Sequence, residues 1–284
     1  MSRNNIFKYL EEKSADRRFD GIKKLAEGYC FVKHVHKYDE FGEEYYSSYN
    51  KTIENVADDY MYLWKSRHFI HNCYELRVES GVTENDYSAN KMLLYLEYFS
   101  NLINLIDLKS DKEIYLERKE YVMLKEDIEQ LVSYLQHQLI YNDEDESVII
   151  AEINPVATAA ANLVDIEIAM KIFKYNHYLM KGDLKNKRDI LLSIANSFES
   201  IKSELKKYNQ AAIVDKVGFL LNNINIRHNN LEGSGKKEFT ANMNEKELEN
   251  WYDTAYDVLL LAILTHDYIK NVKPKIENLQ TYYS

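Results

Sequence analysis

Proline and glycine are scarce. Two prolines, Pro155 and Pro274, and eight glycines punctuate 284 residues. So few breakers exclude a fold of many short strands joined by tight turns, and the long amphipathic runs between them read as helices. The expected class is all-α. Cysteine is scarcer still: Cys30 and Cys73 cannot make a disulfide scaffold, and Met1-Ser2-Arg3-Asn4-Asn5 lacks the apolar core of a signal peptide. A reducing, cytoplasmic setting is expected. No run approaches the roughly 20 apolar residues that span a bilayer; Val258 to Leu264 is the longest clean stretch, so no membrane association is expected. Positive charge is also lacking. A net charge of −10 and a pI near 5.4 exclude coating of nucleic acid by bulk electrostatics. No DNA partner is expected, while a local basic cleft for RNA remains open. There is no Walker loop, Gly-x-Gly-x-x-Gly, His-Glu-x-x-His or Gly-x-Ser-x-Gly, and no cofactor is expected.

What is present suits a large helical chain. A hydrophobic fraction of 45% fills the cores of one large or two ordinary domains. The 24 tyrosines, against 10 phenylalanines and 2 tryptophans, read as half-buried packing residues whose hydroxyls reach water. Residues 1–50 read as short helices and polar loops broken at Gly21, Gly28 and Gly42. Helices are expected over about 53–79 and 86–107. A third should open at the Ser110/Glu113 capping pair and reach about Tyr141, the three forming an antiparallel bundle.

The acidic patch Asn142 to Glu146 and the small residues after Pro155 set a domain boundary near 142–155. An N-terminal helical domain of 1–150 is therefore followed by a four-helix bundle of 151–284. Its helices are expected over about 156–179, 185–208 and 211–230, with a last one opening at the Asn244/Glu247 capping pair.

The stretch Asn222-Asn223-Ile224-Asn225-Ile226-Arg227-His228-Asn229-Asn230-Leu231-Glu232-Gly233 puts an arginine, a histidine and several amides at the end of an apolar helix. Ile213, Val217, Leu220 and Ile224 lead at helical spacing to Arg227, so the guanidinium continues the core-facing stripe. Such a charge needs a partner or a cleft. Asp165, Glu167 and Glu232 are the candidate carboxylates, in which case His228 and the asparagines only cap the helix and shape the turn.

With its opening helix around Asn162 to Lys171 and a later helix ending in Ile226-Arg227-His228-Asn229-Asn230, the segment 156–270 resembles the HEPN superfamily. In that family an arginine followed by a small polar residue or histidine precedes a second histidine four to six positions on. Arg227 and His228 match the first two positions. Leu231, Glu232 and Gly233 stand where the second histidine belongs, and the next histidine is His266. The resemblance implies a defence or growth-arrest protein that acts on RNA as a homodimer, a metal-independent endoribonuclease whose paired Arg-x-His elements meet across a two-fold axis.

The chemistry needs a base, an acid and a cation on the phosphorane. Arg227 is the candidate phosphate clamp, His228 the proton carrier and Glu232 a second proton acceptor. Asn223, Asn229 and Asn230 are candidate RNA-binding or supporting residues. A histidine brought to Arg227 by folding, His266 or His177, would favour the enzyme. A carboxylate-paired Arg227 would favour the alternative, a non-catalytic binding or scaffold protein whose N-terminal half meets a protein partner.

Two weaker constellations remain. Cys30, His34 and His36, with His68, His71 and Cys73, could meet in a zinc site, although neither set has the paired Cys-x2-Cys of a zinc motif, and no metal is expected. Lys202 to Lys207, with Lys185, Lys187 and Arg188, could form a basic face for RNA; the interleaved Asp189, Glu199 and Glu204 make it read equally as a solvated helix face.

Overall fold

A computed structural model of the protein describes residues 13–24, 31–51, 88–109, 114–116, 118–142 and 147–283. The described chain is mostly helical, in keeping with its few prolines and glycines. It divides into two compact units, Met1–Glu152 and Ile153–Ser284. The helix expected over 53–79, the Ser110/Glu113 capping pair, Cys30, and the trio His68, His71 and Cys73 lie outside the described residues.

In the first unit, α1 (residues 13–24) buries Ala15, Phe19 and Ile22, and the Phe19 ring meets Tyr95 edge-on at 5.4 Å. The segment expected to hold short helices and loops contains a hairpin instead. Strands β1 (Phe31–Tyr38) and β2 (Glu44–Lys51) pair antiparallel from Phe31↔Lys51 to Tyr38↔Glu44. Valines and aromatics at such density favour a pleated surface. The turn is set by Asp39, whose carboxylate accepts from the Phe41 and Glu43 amides, and by Gly42 at φ +80°.

Helix α2 (Ala89–Lys109) is buried nearly all round through residue 103, which makes it the core element of the unit. The expected third helix is likewise three elements: β3 (Ile114–Leu116), which adds to β1 and gives the order β2-β1-β3, then α3 (Arg118–Tyr134), then β4 (His137–Asn142). Gln136 at φ +63° ends the helical path. Strand β5 (Ser147–Glu152) pairs with β4 and falls inside the stretch 142–155 where the domain boundary is expected. Its Val148, Ile149, Ile150 and Ala151 are fully buried, and α2 covers its other edge. Asn101 accepts from the Val148 N–H at 2.9 Å and donates to the Val148 carbonyl at 2.7 Å, while Glu97 accepts from the Ile150 N–H at 2.9 Å. Helix side chains thus do for this edge what another strand would do.

The second unit is all helix. Helix α4 (Pro155–Ala161) starts from the Asn154 cap with Pro155 in its first turn, and α5 (Ile166–Tyr175) from the Asp165 cap. The continuous helix expected over 156–179 is broken between these caps, and a 3₁₀ turn at Tyr178–Met180 follows. Helix α6 (Leu184–Lys207) presents Leu191, Ile194, Ala195 and Phe198 to the core. Helix α7 (Ala211–Asn223) and the short α8 (Glu238–Ala241) lead to α9 (Glu245–Asp267). That last helix opens with the full capping box of Asn244 and Glu247 expected from the sequence.

Helices α6 and α9 run parallel. Lys187 meets Glu249 and Asp253 near their starts, and Glu204 meets His266 near their ends. Helix α9 passes through a π turn, Tyr268–Val272, into α10 (Lys273–Tyr283). Pro274 removes an amide and crowds the preceding turn, which accounts for the widened helix before it. Among the described residues no helix is long and apolar enough to cross a membrane.

Candidate functional site

The helix expected to run to Asn230 ends at Asn223. Ile224 is its cap, and Asn225 turns the chain at φ +61°, a conformation asparagine tolerates better than most residues. The departure rotates the register. Ile224 and Ile226 are buried, at 3% and 0% exposure, so they and not Arg227 continue the core stripe. Arg227 is carried to the rim, where its Nη2 pairs with Glu199 on α6. None of Asp165, Glu167 and Glu232 is that partner: Asp165 caps α5 at 2.9 Å from the Ile168 N–H, and Glu167 sits in the first turn of α5. The bond from Arg227, against a smaller push from burial, holds the Glu199 carboxyl below its ordinary range.

The asparagines build the loop. The Asn225 N–H donates to Asn230 Oδ1 at 2.8 Å, and the Asn230 N–H donates to Asn225 Oδ1 at 3.2 Å. Asn230, at 1% exposure, also donates to the Gly235 carbonyl at 3.1 Å, and its own carbonyl accepts from the Lys237 N–H at 2.9 Å. Asn229 Oδ1 accepts from the Leu231 and Glu232 amides at 3.1 and 3.2 Å, closing a tight turn. Gly235 lies so close that a Cβ there would stand 2.6 Å from the Asn229 carbonyl oxygen. Asn223 donates to the Phe219 carbonyl at 2.7 Å, and its own carbonyl accepts from the Thr240 hydroxyl at 2.5 Å. Arg188 Nε reaches the Ile226 carbonyl at 3.1 Å. Asn223, Asn229 and Asn230 thus spend amide groups on backbone.

His228 and Glu232 are exposed on this loop. Neither histidine named as a possible supplement comes to Arg227. His266 pairs with Glu204, and His177 accepts from the Leu179 N–H at 3.2 Å and stacks on Tyr178. A cleft of about 480 Å³ lies elsewhere in the unit, lined by Asn162, Phe198, His266, Lys270 and Asn271 among others, and contains neither Arg227 nor His228. The expected basic face on α6 is also partly used up, since Lys187 and Arg188 turn inward and Lys202 pairs with Glu199.

Sequence reasoning did not anticipate the polar core beside the loop. Lys187, 7% exposed, reaches Glu249 at 2.8 Å and Asp253 at 2.7 Å and lies 5.2 Å from the Tyr175 ring centre. The Tyr175 hydroxyl donates to Asp253 at 2.9 Å, and the ring stacks on Tyr256 at 4.1 Å. Burial, then Asp253, pushes the Tyr175 phenol far up; burial does the same to Tyr256. Burial also raises Glu249, but the Gly182 amide and Lys187 outweigh it and leave the carboxyl low. This network ties α5, α6 and α9 together with its charges met, and several tyrosines expected at half-buried positions are fully buried in such packing. The spacing of Glu249 and Asp253, one helical turn, was the available signal.

Among the described residues no three metal-ligating side chains cluster. Backbone pairing places His34 and His36 on β1. Comparison of the chain with models of protein families, with curated proteins and with solved structures gives no match.

Proposed function

We propose that this chain is a helical binding protein of the HEPN-like kind, serving RNA-directed defence or growth arrest without cutting RNA itself. The observation that carries the reading is the pair of Arg227 with Glu199. The cation that would hold a phosphorane is already met by a carboxylate of its own unit, and an anionic phosphate would have to displace it. Asn225 and Asn230 close the loop on backbone, which leaves His228 and Glu232 at its surface, while His177 and His266, the other histidines of this unit, are engaged elsewhere. The proposal includes a homodimer in the reducing cytoplasm and a protein partner for the N-terminal half. A net charge of −10 favours a protein partner there over an extended RNA track.

The test is cleavage of a mixed tRNA and mRNA pool in EDTA by the full chain, beside an Arg227→Ala variant of equal stability. Neither protein is expected to cleave over a wide concentration range. Cleavage by the wild type that vanishes in the variant would overturn this reading. It would favour a metal-independent endoribonuclease with Arg227 as phosphate clamp, His228 as proton carrier and Glu232 as a second acceptor.

A further inference from the structure

Helix α10 buries none of its residues. These eleven residues prolong α9 through the π turn, so the helix is already nucleated, yet the unit covers none of its sides. The exposed apolar side chains of α10 and of the π turn before it are not scattered. Tyr268, Val272, Ile276, Leu279 and Tyr283 recur at three- and four-residue steps, with Tyr282 beside them, and Leu261 continues the same line back along α9. Leu261 is 54% exposed, Leu279 59% and Tyr283 86%, values that belong to a contact surface more than to a helix flank. Tyr282 and Tyr283, nearly fully exposed and worth roughly 150–250 Å² each, with half-exposed Tyr268 and the aliphatic residues, approach the scale of a standard interface, about 800 Å² per partner.

We propose that the occupant is a second copy of this chain, with α10 of each copy laid antiparallel along the exposed face of α9 of the other. Charge selects this arrangement. The exposed face of α9 carries Asp257 at its middle, and α10 carries Lys273, which lies 3.6 Å from Glu277, and Lys275. An antiparallel pairing about Thr265 brings Lys273 level with Asp257 of the second copy, with Lys275 two residues on, on both sides of the axis. Tyr268 and Val272 of the second copy then flank Leu261. A parallel pairing would stack lysine on lysine.

This rests on the homodimer named above and gives it a surface that the resemblance does not. Asn225 touches α9 at Tyr252, 3.4 Å away, and Thr265 lies 13 residues further along, about 20 Å at ~1.5 Å of rise per residue. The two Arg227 loops would therefore stand on the order of 40 Å apart along the pair of helices, and no shared Arg-x-His centre forms.

The experiment is sedimentation equilibrium of the full chain at micromolar concentration, with melting curves to confirm folding. The wild type is expected to be a dimer, and Leu261→Asp or Leu279→Asp to raise the dimer Kd at least tenfold with little change in melting. Lys273→Glu with Lys275→Glu should weaken the dimer, and adding Asp257→Lys should restore it. Phe219→Asp, exposed on α7 near the Arg227 loop, should leave it intact.

A monomeric wild type would overturn the proposal, as would a dimer indifferent to the Leu261 and Leu279 changes or a charge reversal without rescue. A dimer lost only with Phe219→Asp would move the interface to the Arg227 loop. The RNA assay reads the other question separately, since a nuclease that dimerises through α10 would sink the non-catalytic reading alone.

Discussion

Asn225 and Asn230 close the Arg227 loop on each other, each side-chain oxygen accepting the other's backbone N–H at 2.8 and 3.2 Å. This exchange substitutes for the last helical turn that the sequence periodicity calls for. It aims Ile224 and Ile226 inward and Arg227 toward Glu199.

Removing the buried partner should cost most. Asn230→Ala leaves the Asn225 N–H and the Gly235 carbonyl without their partners in a buried setting, an expected loss of about 2–3 kcal/mol. Urea unfolding of the full chain measures it. A loss under ~0.5 kcal/mol, the size of an ordinary surface change, would mean that the exchange does not hold the loop.

The Arg227 pair should show in acid. Glu199 is lowered from an ordinary value of 4.5, foremost by its bond from Arg227. A carboxyl depressed in the folded state adds stability above its unfolded value and loses it as pH falls through the folded one. Both partners reach solvent, so the contribution is below about 1 kcal/mol. Glu199→Gln should therefore be slightly less stable than wild type at pH 7, and the gap should narrow as pH falls below 4.5. A gap that grows toward pH 3 in denaturant titrations would contradict this sign.

Lys187 is the cation whose loss should hurt. Lys187→Met leaves Glu249, 16% exposed, without its cation and beside an Asp253 that solvent half reaches, an expected cost of about 1–3 kcal/mol, with Tm falling accordingly in a thermal scan. Tyr175→Phe removes only the hydroxyl that donates to Asp253 and should cost about 1–2 kcal/mol. A Lys187→Met protein as stable as wild type would mean that the two carboxylates find another cation.

Much of the second unit could be read from local chemistry. Asn244 and Glu247 announce α9 because a capping box is written within four residues, and the apolar stripe of α6 follows from spacing alone. Local chemistry also explains what was misread. The caps at Asn154 and Asp165 sit within one helical pattern, and periodicity passes through them unless each cap is recognised. In the first unit the β1–β2 hairpin carries valines and tyrosines that suit a strand as well as a helix face. Strand β5 goes unread within the boundary stretch because its short apolar run gains its meaning from Glu97 and Asn101, about fifty residues away.

By itself the sequence determined a mostly helical chain, the opening of α9, the apolar faces of α6 and α7, and the polarity gathered after Asn222. These depend on neighbours three or four positions apart, whose geometry the helix supplies. Only the tertiary structure decided that α7 stops at Asn223, that Arg227 belongs to Glu199, and that Lys187 lies buried between Glu249 and Asp253. The ion pairs join groups 28 or more residues apart, and a charge finds its partner by the packing of whole helices, which the spacing along one helix does not record.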